Sequence, residues 1–167
     1  MADIISRDIG RTFPSHPKFK RPDGQRALFL VLRAYSLHDP EVAYCQGMAF
    51  VAGMLLMHLP EEAAFRGLVA LMAPPPLGAG LRELYLPGLV GLKSRLSQLD
   101  ALMRARMPQL HAHLEAQGVP AVLYASGWLL TAFASTFPAS FACRVCDMLL
   151  TERSSLGHMA RRSAQGG

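Results

Sequence analysis

The chain has 167 residues, enough for one domain with a sizeable core and too few for two comfortable ones. Hydrophobic residues make up 51% and charged residues only 17%, which excludes a disordered or fibrous chain. The net charge of +5 is thinly spread; apart from Arg161-Arg162 in the tail no basic block with interleaved aromatics occurs, so the composition does not point to nucleic acid.

In chain order, almost every segment reads as helix. Residues 4–11 form a short helix with Ile5 and Ile9 on one face, stopped by Phe13-Pro14 because a residue before proline avoids helical dihedrals. Asp23 is placed to cap a helix over 25–35, which ends in the turn "SLHDP". Residues 41–58 read as a helix with Gly47 and Gly53 inside or beside it. Pro60-Glu61-Glu62 opens the next, to about residue 72, with its acids where the helix dipole favours them. "APPPLGAG" (73–80) is a loop and the one candidate hinge. Residues 89–107 carry Leu89, Leu92, Leu96, Leu99 and Met103 three or four apart, an amphipathic stripe. Pro108 restarts a helix that ends at Gly118, and 120–137 and 139–151 read as two buried helices, with Trp128 in the core. After Glu152 the chain turns polar, so 153–167 reads as a flexible tail. No segment alternates with period two for long enough to make a strand. The expected fold is all-α, a single domain of seven to nine helices over residues 1–152 without a sheet.

Residues 116–143 and 42–60 hold no Asp, Glu, Lys or Arg and are long enough to span a bilayer. The longer run includes Gln117, Ser126, Thr131, Ser135 and Thr136, too polar for lipid but ordinary for the centre of a domain. Asp3, Arg7, Asp8 and Arg11 make the N-terminus unlike a signal peptide. Three cysteines argue against a disulfide framework and suit a reducing interior. Cys143-x-x-Cys146 lies in an apolar helical stretch with no second pair, and reads as core rather than as a metal or redox site. His111 and His113, two apart, diverge on a helix and have no carboxylate cluster to complete a metal site.

Two short stretches bear on chemistry. In "IISRDIGRTFP" (4–14), Asp8 and Arg11 stand three apart, so the carboxylate can hold the guanidinium from the side at the end of a helix anchored by Ile5 and Ile9. Taken alone, this spacing is met equally by a surface salt bridge worth a few tenths of a kcal/mol. In "AYCQGM" (43–48), Tyr44 and Gln46 stand beside Gly47 at the entrance of an apolar helix. A glutamine there can aim its amide outward, and an amide both donates and accepts, as the positioning of a water requires. Alone, this too is met by polar groups that satisfy one another at a helix N-terminus.

Taken together, Ile5-x-x-Asp8-x-x-Arg11 followed by Thr-Phe-Pro, and Tyr44-x-Gln46-Gly47, resemble the paired signature of the TBC-domain family of Rab GTPase-activating proteins. The likeness continues through "GQRALFLVLRAYSLHDPEVAYCQGM" and "HLEAQGVPAVLYASGWLLTAFASTFP" and covers roughly residues 4–152. The resemblance implies a TBC-like fold that accelerates GTP hydrolysis by a GTP-bound Rab-family small GTPase. It makes Arg11 an arginine finger oriented by Asp8 and Gln46 a second finger that positions the attacking water, with Tyr44 and Gly47 shaping the loop that delivers it. It also implies no cofactor of the chain's own, since GTP and Mg would be bound by the partner. Membrane contact would come only through the lipidated GTPase, and the location would be cytoplasmic, with recruitment to endomembranes. The chain departs from the family in having both ends shortened, in Cys146 where a Trp is common, and in a 73–80 loop rich in Pro and Gly. Two other classes stay open on the residues alone: a helical module that binds a GTPase without stimulating it, and a helical membrane protein.

Overall fold

The computed structural model describes residues 1–75 and 77–164, with side chains as far as Thr151, and among them eight α-helices and no strand. Helix α1 (Ala2–Ile9) buries Ile5 and Ile9 and ends at Gly10, earlier than Phe13-Pro14 alone predicts. Helix α2 (Pro22–His38) starts on a proline, whose missing N–H is one of the donors a helix start leaves unpaired anyway. Asp23 therefore sits in the first turn and is not the cap.

Helix α3 (Met48–His58) is the centre of the molecule, packed between α2 and α4 (Glu61–Met72). It is apolar on all sides, as a helix surrounded by others must be, and Met48, Val51, Ala52 and Leu56 are fully buried. The sequence reading began this helix at residue 41; the structure begins it at Met48. The reason is Gly47, whose φ of 107° no helix accommodates. A Cβ there would lie 2.6 Å from the Leu130 carbonyl oxygen, so the position also tolerates no side chain. Residues between α2 and α3 thus form an irregular loop, and Gln46 stands on it.

A second, smaller core joins α5 (Val90–Arg106) to α7 (Ala121–Leu130) through Leu92, Leu96, Ala121 and Ala125. Helix α6 (Pro108–Ala116) folds back on α5, where the buried His111 ring nitrogen lies 3.0 Å from an Asp100 carboxylate oxygen. It ends as expected around Gly118, which adopts φ 66° while the Val119 N–H reaches back to the Leu114 carbonyl at 2.9 Å.

Helix α7 ends at Leu130 and does not run to residue 137. Its close is a Schellman arrangement without glycine: the Phe133 N–H donates to the Trp128 carbonyl at 2.7 Å, and Ala132 takes the left-handed position with φ 46°. The Phe133 and Trp128 rings stack with centroids 6.2 Å apart, supplying the apolar contact that accompanies this motif. Because alanine stands where glycine is usual, the stop left no mark in the sequence. Helix α8 (Ala139–Ala164) follows and packs on α3 and α4. Its backbone continues past Glu152, where the sequence suggested the helix would end, with no proline to stop it; the side chains from 152 and residues 165–167 lie outside the described residues.

Neither α7 nor α8 is the buried helix that its apolar composition suggests. Val122 and Leu123 on α7 are 53% and 70% exposed, and Phe141 and Met148 on α8 are 45% and 58% exposed. Helix α7 packs chiefly on α5, with Leu129 and Leu130 at its end reaching the main core, and α8 packs on α3 and α4.

The Ala132 position gives a direct test of this geometry. Ala132→Gly relieves a left-handed alanine and is expected to stabilise the fold by about 0.5–1 kcal/mol, read as a raised midpoint in urea unfolding.

Candidate functional site

Asp8 lies in the last turn of α1 with 6% of its surface exposed. One carboxylate oxygen accepts a hydrogen bond from the Arg11 guanidinium, and the other accepts from the Tyr44 hydroxyl at 2.5 Å. A carboxylate taken out of water is tolerated only when its oxygens are paired, and here both are. The turn after the helix is tied to the same residue. The Arg11 N–H and the Thr12 hydroxyl both donate to the Asp8 carbonyl, at 3.2 and 2.7 Å. Phe13, in the left-handed region at φ 47°, inserts its ring beside Phe19 and Phe50, 6.0 and 5.2 Å away between centroids. Gly53 of α3 makes room for it, since a Cβ there would come within 2.9 Å of that ring.

Arg11 therefore leaves a rigid turn with its root fixed and 55% of its side chain exposed. The pair with Asp8 is not the weak surface bridge that the i,i+3 spacing by itself allows, because one partner is buried. Burial, and then the hydrogen bond to Asp8, raise the Tyr44 hydroxyl well above the usual tyrosine range, so it stays a donor at physiological pH. Gln46, two residues on, is exposed, and Gly47 behind it is buried against Leu130.

Arg11 and Gln46 border one open groove of about 440 Å³. Its floor holds Asp8 and Phe50, and its far wall is the end of α7 and the turn beyond, with Leu130, Thr131 and Ser135. The structure thus brings together Asp8, Arg11, Tyr44, Gln46 and Gly47, with Ile5 fully buried beneath them. Chemically, this rim offers a permanently charged planar fork and an amide that donates and accepts. The sequence had not linked Asp8 to Tyr44, which lie 36 residues apart, nor had it pointed to Thr12, Thr131 or Ser135. A threonine straight after the arginine is at most a faint signal for Thr12; contacts across the groove leave none.

The features set aside in the sequence stay outside the site. Burial raises the Cys143 thiol and pushes Cys146 up to about 11, the reverse of the depressed thiolate that a redox pair uses. Among the described residues no three His, Cys, Asp or Glu side chains gather as a metal site, and no helix is long and apolar enough to cross a membrane.

Fold and site define an all-α domain that presents an arginine and a glutamine across one groove. Residues 2–160 match the Rab-GTPase-TBC domain family, and the chain belongs to it. It is 45% identical over 150 residues to the Rab GTPase-activating protein eat-17 of Caenorhabditis elegans, covering 89% of this chain and 16% of that protein. The ecotropic viral integration site 5 ortholog of Drosophila melanogaster is 42% identical over 151 residues, covering 89% of this chain and 18% of its own length. Mouse TBC1 domain family member 1 is 45% identical over 151 residues, covering 89% of this chain and 12% of its own. The chain therefore spans less than a fifth of these relatives. Among solved structures, the Chlamydomonas flagellar RabGAP TBC domain superposes with a TM-score of 0.71 at 28% identity, covering 89% of this chain and 48% of that one. The Ypt/Rab-GAP domain of Gyp1p superposes with a TM-score of 0.77 at 22% identity, covering 93% and 55%, a likeness of fold alone.

Tyr44→Phe removes one donor from a buried carboxylate and keeps the ring. It is expected to destabilise the fold by about 1–3 kcal/mol, measured by denaturant unfolding at neutral pH.

Proposed function

We propose that this domain accelerates GTP hydrolysis by a Rab-type small GTPase, supplying Arg11 and Gln46 to the partner's active site. The observation that carries the reading is the shared groove: a guanidinium preorganised by the buried Asp8 and an exposed amide face the same space. Membership of the Rab-GTPase-TBC domain family and the likeness to proteins named as Rab GTPase-activating proteins support it. Hydrolysis on a Ras-like GTPase is slow because charge builds on the phosphoryl oxygens and the attacking water is poorly held. Arg11 would meet the charge, since its fork spans two oxygens and stays ionised at any relevant pH. An arginine supplied in trans is worth about 10³–10⁵ in rate for such GTPases. Gln46 would hold the water with its carbonyl and NH₂, and GTP with its Mg would be bound by the GTP-loaded partner. Contact with membranes would then be indirect, through the partner's lipid anchor.

The test is single-turnover GTP hydrolysis across a panel of Rab proteins. Arg11→Lys keeps a positive charge beside Asp8 and so preserves the fold, but loses the bidentate fork; stimulation is expected to fall by about 10²-fold or more. Near wild-type stimulation by that variant would remove the finger role.

A second measurement separates the two fingers. A Rab whose own switch glutamine is changed to leucine is expected to remain responsive, because the water is held from this side. Gln46→Ala is expected to remove all but a small residual stimulation of both forms of the Rab. A mutated Rab that ignores the wild-type domain while the normal Rab responds would leave Arg11 as the single finger.

A further inference from the structure

The short 3-10 turn Leu81–Leu84, together with the tyrosine after it, bonds directly to the start of the loop that carries Gln46 and reaches the loop's end through Leu130. At the loop's start, Arg82 donates from Nε and Nη2 to the two Asp39 carboxylate oxygens, at 2.7 and 3.1 Å, and from Nη2 to Glu41 at 2.5 Å. Asp39 also accepts from the Tyr35 hydroxyl at 3.1 Å and from the Val42 N–H at 3.3 Å, while its carbonyl takes the Ala43 N–H at 2.7 Å. The first half of the loop is thus wound around one residue, and Ala43 is held in the left-handed region at φ 53°. At the loop's end, the buried Tyr85 hydroxyl donates to the Leu130 carbonyl at 2.8 Å. That carbonyl is the atom against which Gly47 packs. Neither Arg82 nor Tyr85 lines the groove.

We propose that Arg82 and Tyr85 are positioning residues that hold the Gln46 loop in register with Arg11, one gripping its first residues and the other backing its last. The inference rests on the proposed function for its catalytic consequence, but the mechanical part stands on the hydrogen bonds alone. The arginine fork draws the Asp39 carboxyl below the usual carboxylate range, so the grip is charged at physiological pH. A displacement of about 1 Å in a positioning group can cost about 10²-fold in rate, so a loosened loop need not change affinity to matter.

The experiment uses Arg82→Gln, which removes the charged fork, and Tyr85→Phe, which removes one oxygen and keeps the buried ring. Hydrogen exchange of the backbone is expected to quicken about tenfold at Val42 and Ala43 in Arg82→Gln and at Met48 in Tyr85→Phe, with the core of α2 unchanged. Unchanged exchange in the loop would overturn the proposal whether or not the domain acts on a GTPase. With a Rab that the wild-type domain stimulates, Arg82→Gln is expected to lower kcat about tenfold at constant KM. In a Gln46→Ala background the same change should add no further loss to the residual rate. An equal loss in both backgrounds would mean that Arg82 acts on the fold as a whole and not through Gln46. If no Rab responds to the wild-type domain, the proposed function fails, and the exchange measurement still decides the loop.

Discussion

A carboxylate removed from water needs each of its oxygens paired, and Asp8 is such a group. Its two partners come from different parts of the chain: Arg11 from the turn directly after α1, and Tyr44 from the loop before α3. One buried anion therefore fixes where the N-terminal helix sits on the central one. It also fixes where the arginine leaves the surface. Ile5 and Ile9 hold α1 in place by burial alone, but apolar contact is non-directional and would not orient the guanidinium. The direction comes from the Asp8 carboxylate and from the two donors on its carbonyl.

The groove depends further on backbone that is not regular. Gly47 at φ 107° ends the loop, Ala132 and Phe133 at positive φ turn the chain away from α7, and Phe13 at φ 47° locks the turn after Arg11. Such conformations cost free energy and persist only where packing over-determines them. Here the packing is visible: Leu130 behind Gly47, Trp128 against Phe133, and Phe19 and Phe50 around Phe13. Gly47 lines the groove itself, and Phe13, Ala132 and Phe133 stand one or two residues beyond Thr12 and Thr131, which line it; the regular helices behind them supply the rigid frame.

That frame has an uneven surface. The face of α3 and its neighbours is closed, whereas α7 and α8 leave Leu123 and Met148 more than half exposed. The groove does not draw on Leu123 or Met148: it is lined from the end of α1 and the turn after it, the loop before α3 and the first turn of α3, Leu89, and the end of α7 with the turn beyond. The apolar faces and the groove are thus separate features of the same domain.

Much of this was legible in the residues by themselves. The helical class, the burial of Ile5 and Ile9, the inward placement of Leu92, Leu96 and Leu99 on α5 and the end of α6 at Gly118 follow from residue spacing and from glycine at a left-handed cap, which are local properties. Asp8 and Arg11 could be paired from their spacing, and Gln46 could be singled out beside Gly47. What the residues could not report was set by contacts between distant parts of the chain. The start of α3 moved from 41 to Met48 because Gly47, packed against the Leu130 carbonyl, takes φ 107°, and α7 stopped early because Trp128 stacks on Phe133 around an alanine where a glycine signal was absent. The burial of Asp8 between Arg11 and Tyr44 belongs to the same class, since a carboxylate's exposure depends on what packs over it. Local sequence determined which groups were available; only tertiary packing decided that they share one desolvated carboxylate and one groove, because desolvation is a property of the assembled fold and not of any segment.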